Sequence, residues 1–341
     1  MWIHAMGEYG PGGLHDVAKI RIYNPLALLC EDKGFRLTTS PDWKDGRQCD
    51  VFIVERYWRH DMTVAQTQEF LSFVKTRKKK LIYEIDDNLL DLEAITLEQK
   101  ARIRMLANAA DLIVVSTEYL SQRMHRFCPN IMVIPNCLSR KYVTEIPAVN
   151  SGHDVVTLGY MGTFSHQADF QMIKLPLLQI LHKYGNKVRL ELIGAVSSLG
   201  CLAQLPNVHM HNLTGRSSYD VFWDWMKHNI HWDIGLAPLK LDTFTSCKSD
   251  IKFLDYAAMG CCGIFSDHPA YASTVVNGEN GMLCQNRTED WYEKMEQLIT
   301  DSSLRKKLLA QARQTLCDHR LLEENYSAWG HAVEQVMAKN K

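Results

Sequence analysis

The chain has no C-x-x-C pair, no long apolar run and almost no net charge, and each absence closes off a class of function. Its ten cysteines stand at 30, 49, 128, 137, 201, 247, 261, 262, 284 and 317, mostly in apolar contexts such as "LALLC" and "GMLC". That scatter fits buried free thiols in a reducing cytoplasm better than a disulfide framework. No Cys/His spacing matches a zinc site, so no metal is expected. No apolar stretch reaches the roughly 18–20 residues a membrane helix needs. The opening "MWIHAMGEYGPGG" lacks a basic start and a long apolar segment, so no secretory signal is expected. A net charge of −1 offers nucleic acid no global attraction.

What is present is an ordinary globular composition, 46% hydrophobic and 23% charged over 341 residues. A chain of this length predicts two domains of about 150–180 residues each. Short apolar runs alternate with helical patterns: "WIHAM", "RLTTS", "DVFIVERY", "KLIYEID", "DLIVVST" and "IMVIPN" read as strands. Amphipathic stretches such as "VAQTQEFLSFVKTRKK" and "LEQKARIRMLANA" lie between them. Strands apolar on both faces, such as "LIVV", argue for a parallel sheet covered on both sides. The polar stretch 137–154 breaks the rhythm and reads as a linker. The alternation restarts at "VVTLGYMG" and continues through "VRLELIG", "NVHMHNLT", "WDIGLAPL" and "CGIFSD", with two helical stretches closing the chain. The expected architecture is α/β: two Rossmann-like domains whose parallel sheets face one another across an interdomain cleft. The boundaries are 1–145, 155–320, and a C-terminal helix, 321–341, crossing back to the first domain. Ligands of such sheets bind outside the carboxyl ends of the strands.

Four stretches carry candidate chemistry. In "GEYGPGGLHDV", Gly10, Gly12 and Gly13 let backbone approach a phosphate, or simply form a flexible loop; this is not G-x-G-x-x-G. "YEIDDNLLD" ends a strand in Asp86 and Asp87, which accept a proton or hold sugar hydroxyls, or cap the next segment. In "LGYMGTFSHQADF", Gly159, Gly162 and Thr163 suit an anionic oxygen at a helix start, and His166 is an acid or a cap. "TSCKSDIKFLDYAAMG" is the richest. A helix starting near Ser249 or Asp250 leaves the amides of 247–250 as donors, and Lys248 and Ser249 lie in that turn. Lys252 and Asp255 share a face three residues apart, for a diphosphate and a ribose diol, or as a surface ion pair. The basic run "KTRKKK" (75–80) is a solvated helix end or a rest for anionic lipid headgroups.

These residues resemble a known family, the group 1 glycosyltransferases of the GT-B fold, over nearly the whole chain and most strongly from 155 to 284. "LGYMGTFSHQADF", "VRLELIG", "WDIGLAPL", "KFLDYAAMG" and "NGENGMLC" keep the family's order and spacing, and "PGGLHDV", "YEIDDN" and "VSTEYL…VIPN" are similar to its acceptor-side half. In its donor-binding pattern N-K-x-x-E-Y-x-A-x-G, Lys252 falls on the lysine, Asp255 on the glutamate and Gly260 on the glycine. Cys247 stands at the position of the family's first glutamate, and "GTFSHQADF" carries no basic pair, which leaves Lys248 and Lys252 to face the diphosphate.

The resemblance implies a retaining, metal-independent hexosyltransferase using a nucleotide-diphosphate sugar and no other cofactor. Its acceptor would be a carbohydrate or lipid-linked glycan of a surface polysaccharide. Asp86, Asp87 and Lys252 would act on the reaction, in a cytoplasmic protein peripheral to the membrane. Two alternatives stay open: a GT-B epimerase acting on the donor alone, and a non-catalytic sugar-nucleotide-binding module.

Overall fold

A computed structural model describes residues 1–143, 155–162, 166–194, 199–211 and 218–338. The chain forms two compact units, each built on a six-stranded parallel sheet. The first holds β1 (Trp2–Met6), β2 (Arg36–Thr39), β3 (Val51–Glu55), β4 (Lys80–Ile85), β5 (Leu112–Val115) and β6 (Ile131–Val133). Their order in the sheet is β2-β1-β3-β4-β5-β6. The second holds β7 (Val156–Gly162), β8 (Val188–Gly194), β9 (Val208–His211), β10 (Ile234–Ala237), β11 (Cys262–Ser266) and β12 (Met282–Cys284), in the order β9-β8-β7-β10-β11-β12. In each sheet the order reverses at the first strand, which places a switch point at β1/β3 and another at β7/β10.

Period-two burial explains why both sheets are covered on both faces. In the first unit Ile3, Ala5, Val51, Ile53, Ile82 and Val114 turn to one side, where α1 (Asn24–Lys33) packs. Phe52, Val54, Leu81, Tyr83, Ile113 and Val115 turn to the other, under α2 (Val64–Thr76) and α3 (Leu97–Ala109). Both of those helices start in a capping box, Thr63 with Gln66 and Thr96 with Gln99, which satisfies amide donors that a helix start leaves open. The short α4 (Glu118–Met124) follows β5. In the second unit α5 (Gln167–Tyr184) and α8 (Thr288–Thr300) cover one face through Phe170, Leu177, Trp291 and Met295. The other face packs under α6 (Tyr219–Asn229), α7 (Ile251–Met259) and α9 (Ser302–His319).

The first unit is residues 1–137, the short piece Ser246–Ser249 and the chain from Leu322 onward; the second runs Leu138–Thr245 and Asp250–Leu321. Leu138 and Tyr142, read from sequence as linker, are buried in the second unit's core, and Leu138 bridges to Leu321. The rest of that stretch, 144–154, lies outside the described residues. The final helix α10 (Ser327–Ala338) packs on the first unit, burying Trp329, Ala332, Val333 and Val336 beside α1 and the sheet. No helix among the described residues is long and apolar enough to cross a membrane.

Candidate functional sites at the strand ends of each unit

In the first unit the carboxyl ends of β1, β3 and β4 converge on a dense cluster of charge. Arg56, just past β3, grips Asp86 with two nitrogens, Nε to Oδ1 at 2.7 Å and Nη2 to Oδ2 at 2.9 Å. Its remaining nitrogen reaches Glu8 Oε2 at 2.6 Å. Burial pushes the Glu8 carboxyl up, but Arg56 and His60 outweigh it and hold it below the usual range. Asp86 follows the same pattern, with burial overcome by Arg56. Arg56 adopts a φ of 50° and Trp58 a φ of 36°, backbone that ordinary side chains seldom accept. Strain of this kind persists where surrounding contacts enforce it, and here it turns the guanidinium into the cluster.

Behind this layer Glu55 and Glu84 are cross-strand neighbours in parallel register, both fully buried. The Glu8 amide donates to Glu55 Oε2 at 2.8 Å, and Arg21 Nε donates to Glu84 Oε1 at 2.7 Å. Burial and their mutual repulsion push Glu55 far above the carboxylate range. Burial pushes Glu84 up to about 7, with Arg21 opposing. Two adjacent buried acids cannot both ionise cheaply, so the pair retains a proton near neutral pH.

Asp87 points to a different partner. Lys248 Nζ lies 3.4 Å from its Oδ2, while burial raises its carboxyl despite that lysine. Lys248 and Ser249 thus group with the first unit. The reason is local: Thr117 Oγ1 donates to the Cys247 carbonyl at 2.9 Å, and Asn136 Nδ2 donates to Ser249 Oγ at 2.7 Å. Cys247 itself is buried in the first unit's core. Gly12 and Gly13 lie in a small hairpin after β1, where Tyr9 pairs with Leu14 and Gly10 with Gly13. A Cβ at either glycine would meet nothing within 4 Å, so the backbone there is open to a ligand.

In the second unit Gly162 ends β7 beside Gly194, the end of β8. Gly194 has a φ of 82°, and a Cβ there would stand 2.1 Å from the Gly162 carbonyl oxygen, so this strand end tolerates only glycine. Thr163 lies outside the described residues. Gly159 has a packing role instead, since a Cβ there would strike the Trp232 ring at 1.8 Å. His166 Nδ1 lies 2.7 Å from Asp169 Oδ2, and Asp169 Oδ1 accepts from the Lys240 amide at 2.7 Å. Asp250 stands at the N-cap position of α7, but its carboxylate is held by Arg320 at 2.6 and 2.7 Å and by the Thr274 hydroxyl rather than by the helix amides.

Lys252 and Asp255 lie on α7 as the spacing predicts. Lys252 Nζ stands 5.0 Å from the centre of the Tyr160 ring, a cation–π distance. The Tyr219 hydroxyl donates to Asp255 Oδ1 at 3.1 Å. Burial pushes Asp255 up to about 7, with Tyr219 and Lys252 opposing. His268, after β11, is buried and accepts the Ala270 amide on Nδ1 at 3.1 Å, which puts its proton on Nε2. Sequence reasoning passed over Glu8, Arg21, Glu55, Arg56, His60 and Glu84 in the first unit and Asp169, Tyr219 and His268 in the second. The one legible signal was a single acid inside each apolar strand, Glu55 in "VFIVE" and Glu84 in "KLIYEI".

The basic run is partly spent internally. Lys80 is buried with its Nζ 3.6 Å from Asp111 Oδ1, while Lys75, Arg77 and Lys78 are exposed.

By sequence, no family model and no curated protein matches this chain. Solved structures do match it in fold. One is HepE from Anabaena, in complex with UDP and glucose, at a TM-score of 0.67 and 11% identity over 98% of this chain and 100% of that one. Another is sucrose-phosphate synthase from Thermosynechococcus elongatus, at 0.72 and 12% over 99% and 100%. A third is a glycosyltransferase from Rickettsia africae ESF-5, at 0.64 and 11% over 98% and 98%. These are GT-B glycosyltransferases, and the two parallel-sheet α/β units of this chain have the same fold.

Proposed function

We propose that this protein is a retaining glycosyltransferase that moves a hexosyl group from a nucleotide-diphosphate sugar to a hydroxyl of a glycan or lipid-linked acceptor. The observation that carries the reading is the pair Lys252 and Asp255 on one face of α7, in a unit whose strand order reverses at β7/β10. Lys252 neutralises the diphosphate, Asp255 accepts from the ribose diol, and the backbone of Gly162, where β7 ends, approaches the phosphate oxygens. The UDP and glucose held by HepE make a uridine nucleotide the first donor to test.

Retaining transfer breaks the bond between the anomeric carbon and the diphosphate oxygen while the acceptor oxygen forms the new bond on the same face and its hydroxyl proton passes to the departing diphosphate. The leaving diphosphate gains charge as the bond breaks, so positioned cations lower the barrier without a metal. On the first unit, Asp87 beside Lys248 and the Arg56-held Asp86 offer carboxylate oxygens to acceptor hydroxyls, and the open backbone at Gly12 and Gly13 admits them. Exposed Lys75, Arg77 and Lys78 suit transient contact with anionic headgroups near a lipid-linked acceptor, at the cytoplasmic face. The product belongs to the chemistry of surface polysaccharides.

The test is a panel of UDP-, GDP- and dTDP-sugars, read by the shift in melting temperature and by release of nucleotide. If no nucleotide sugar shifts the melting temperature, the donor site is wrong. A second reading, a GT-B epimerase, draws on the His166–Asp169 pair and the buried His268 at the second unit's strand ends. It predicts turnover of the donor sugar with no acceptor present.

A further inference from the structure

Glu8, His15 and His60 are brought together from three separate segments, and we propose that they form a binding site for a divalent transition-metal ion such as Zn²⁺. One ligand atom from each lies within 4.8 Å of the other two. His60 Nε2 stands 2.7 Å from Glu8 Oε1, and His15 Nδ1 stands 3.8 Å from Glu8 Oε2. Two imidazoles and one carboxylate form a common zinc donor set, and it leaves a fourth position open. Bonds of about 2.0–2.2 Å from each donor require only small side-chain rotations here, because both histidines are at the surface. Their side chains are 48% and 31% exposed, whereas Glu8 is 2% exposed. The ion has an entry path, and its anionic ligand is fixed beneath it.

The backbone preorganises the three donors. The His15 amide donates to the Glu8 carbonyl at 2.8 Å, the His60 amide to the Tyr9 carbonyl at 3.0 Å, and the Tyr9 amide to the Trp58 carbonyl at 2.6 Å. The His60 ring also packs beside Gly10, where a Cβ would come 3.3 Å from its Cε1. Arg56 on Glu8 Oε2 leaves Oε1 for the ion and orients the carboxylate, as groups behind metal ligands do. The local charge tolerates a cation: Glu8 and Asp86 share the single guanidinium of Arg56. A bound ion would staple the hairpin after β1 to the turn after β3. The site flanks the hairpin of Gly12 and Gly13 and shares Arg56 with Asp86, so it adjoins the acceptor side, and it holds whether or not the donor assignment does.

The experiment is calorimetric titration of the chelator-treated full chain with zinc chloride, alongside His15→Ala, His60→Ala and the double variant. The expected result is one Zn²⁺ per chain, at least about tenfold weaker in each single variant and lost in the double. Zn²⁺ should also raise the melting temperature of the wild type and not of the double variant. Melting without metal serves as the folding control, because His15 and His60 are partly exposed. Absence of Zn²⁺ binding to the wild type, or binding undiminished in the double variant, overturns the proposal.

Discussion

Arg56 binds Asp86 through two nitrogens and Glu8 through the third, so one guanidinium ties the end of β3 to the segments following β1 and β4. Removing it leaves two carboxylates in a largely buried layer without their cation. Breaking a buried pair from one side costs about 3–5 kcal/mol. Arg56→Ala should therefore lower the urea midpoint of the first unit strongly. Arg56→Lys keeps a charge but loses the planar fork and should recover only part of the loss. Equal stability for Arg56→Ala and the wild type would show that the cluster is already neutralised by protons.

Lys252→Ala should weaken nucleotide-sugar binding at least about tenfold, because it removes the cation assigned to the diphosphate. The reading is the ligand-induced rise in melting temperature, which scales with affinity. Unchanged affinity would refute the assignment of Lys252.

Asp255 gives donor binding a pH dependence of known sign. Burial pushes its carboxyl up to about 7 in the free protein. Two ribose hydroxyls donating to the carboxylate favour the charged form and lower that value in the complex. Binding therefore expels a proton, and affinity should rise with pH through about 7 and level off above it. Asp255→Asn should flatten the profile. An affinity that falls as pH rises would separate Asp255 from the ribose.

Gly12→Ala and Gly159→Ala should part company. A methyl at Gly12 meets nothing, so stability should hold and any loss of acceptor turnover reports on ligand approach. A methyl at Gly159 collides with Trp232 and should cost about 1–3 kcal/mol in thermal unfolding. A destabilised Gly12→Ala would mean the hairpin packs more tightly than its geometry indicates.

Trp329 joins the last helix to the first unit's core, 1% exposed beside α1 and the sheet. Trp329→Ala should cost about 3–5 kcal/mol, seen as an earlier urea transition. A transition that does not move would mean α10 contributes little to the stability of that core.

The sequence by itself determined the alternation of strands and helices, because period-two and period-3.6 burial are local and survive in a linear reading. "LIVV" could only be a strand buried on both faces, and Lys252 and Asp255 were legible because i,i+3 spacing on a helix needs no tertiary information. The three-residue strand β12 (Met282–Cys284) was too short to show a period. Only the tertiary structure decided that Glu8, Arg56 and Asp86 meet, or Glu8, His15 and His60. Parallel sheets bring the carboxyl ends of strands together across long crossovers, so side chains separated by 30 to 48 positions become hydrogen-bonded neighbours. It also decided where Lys248 belongs. A run of four residues, Ser246–Ser249, follows the hydrogen bonds of Thr117 and Asn136 rather than the helix that comes next in the chain.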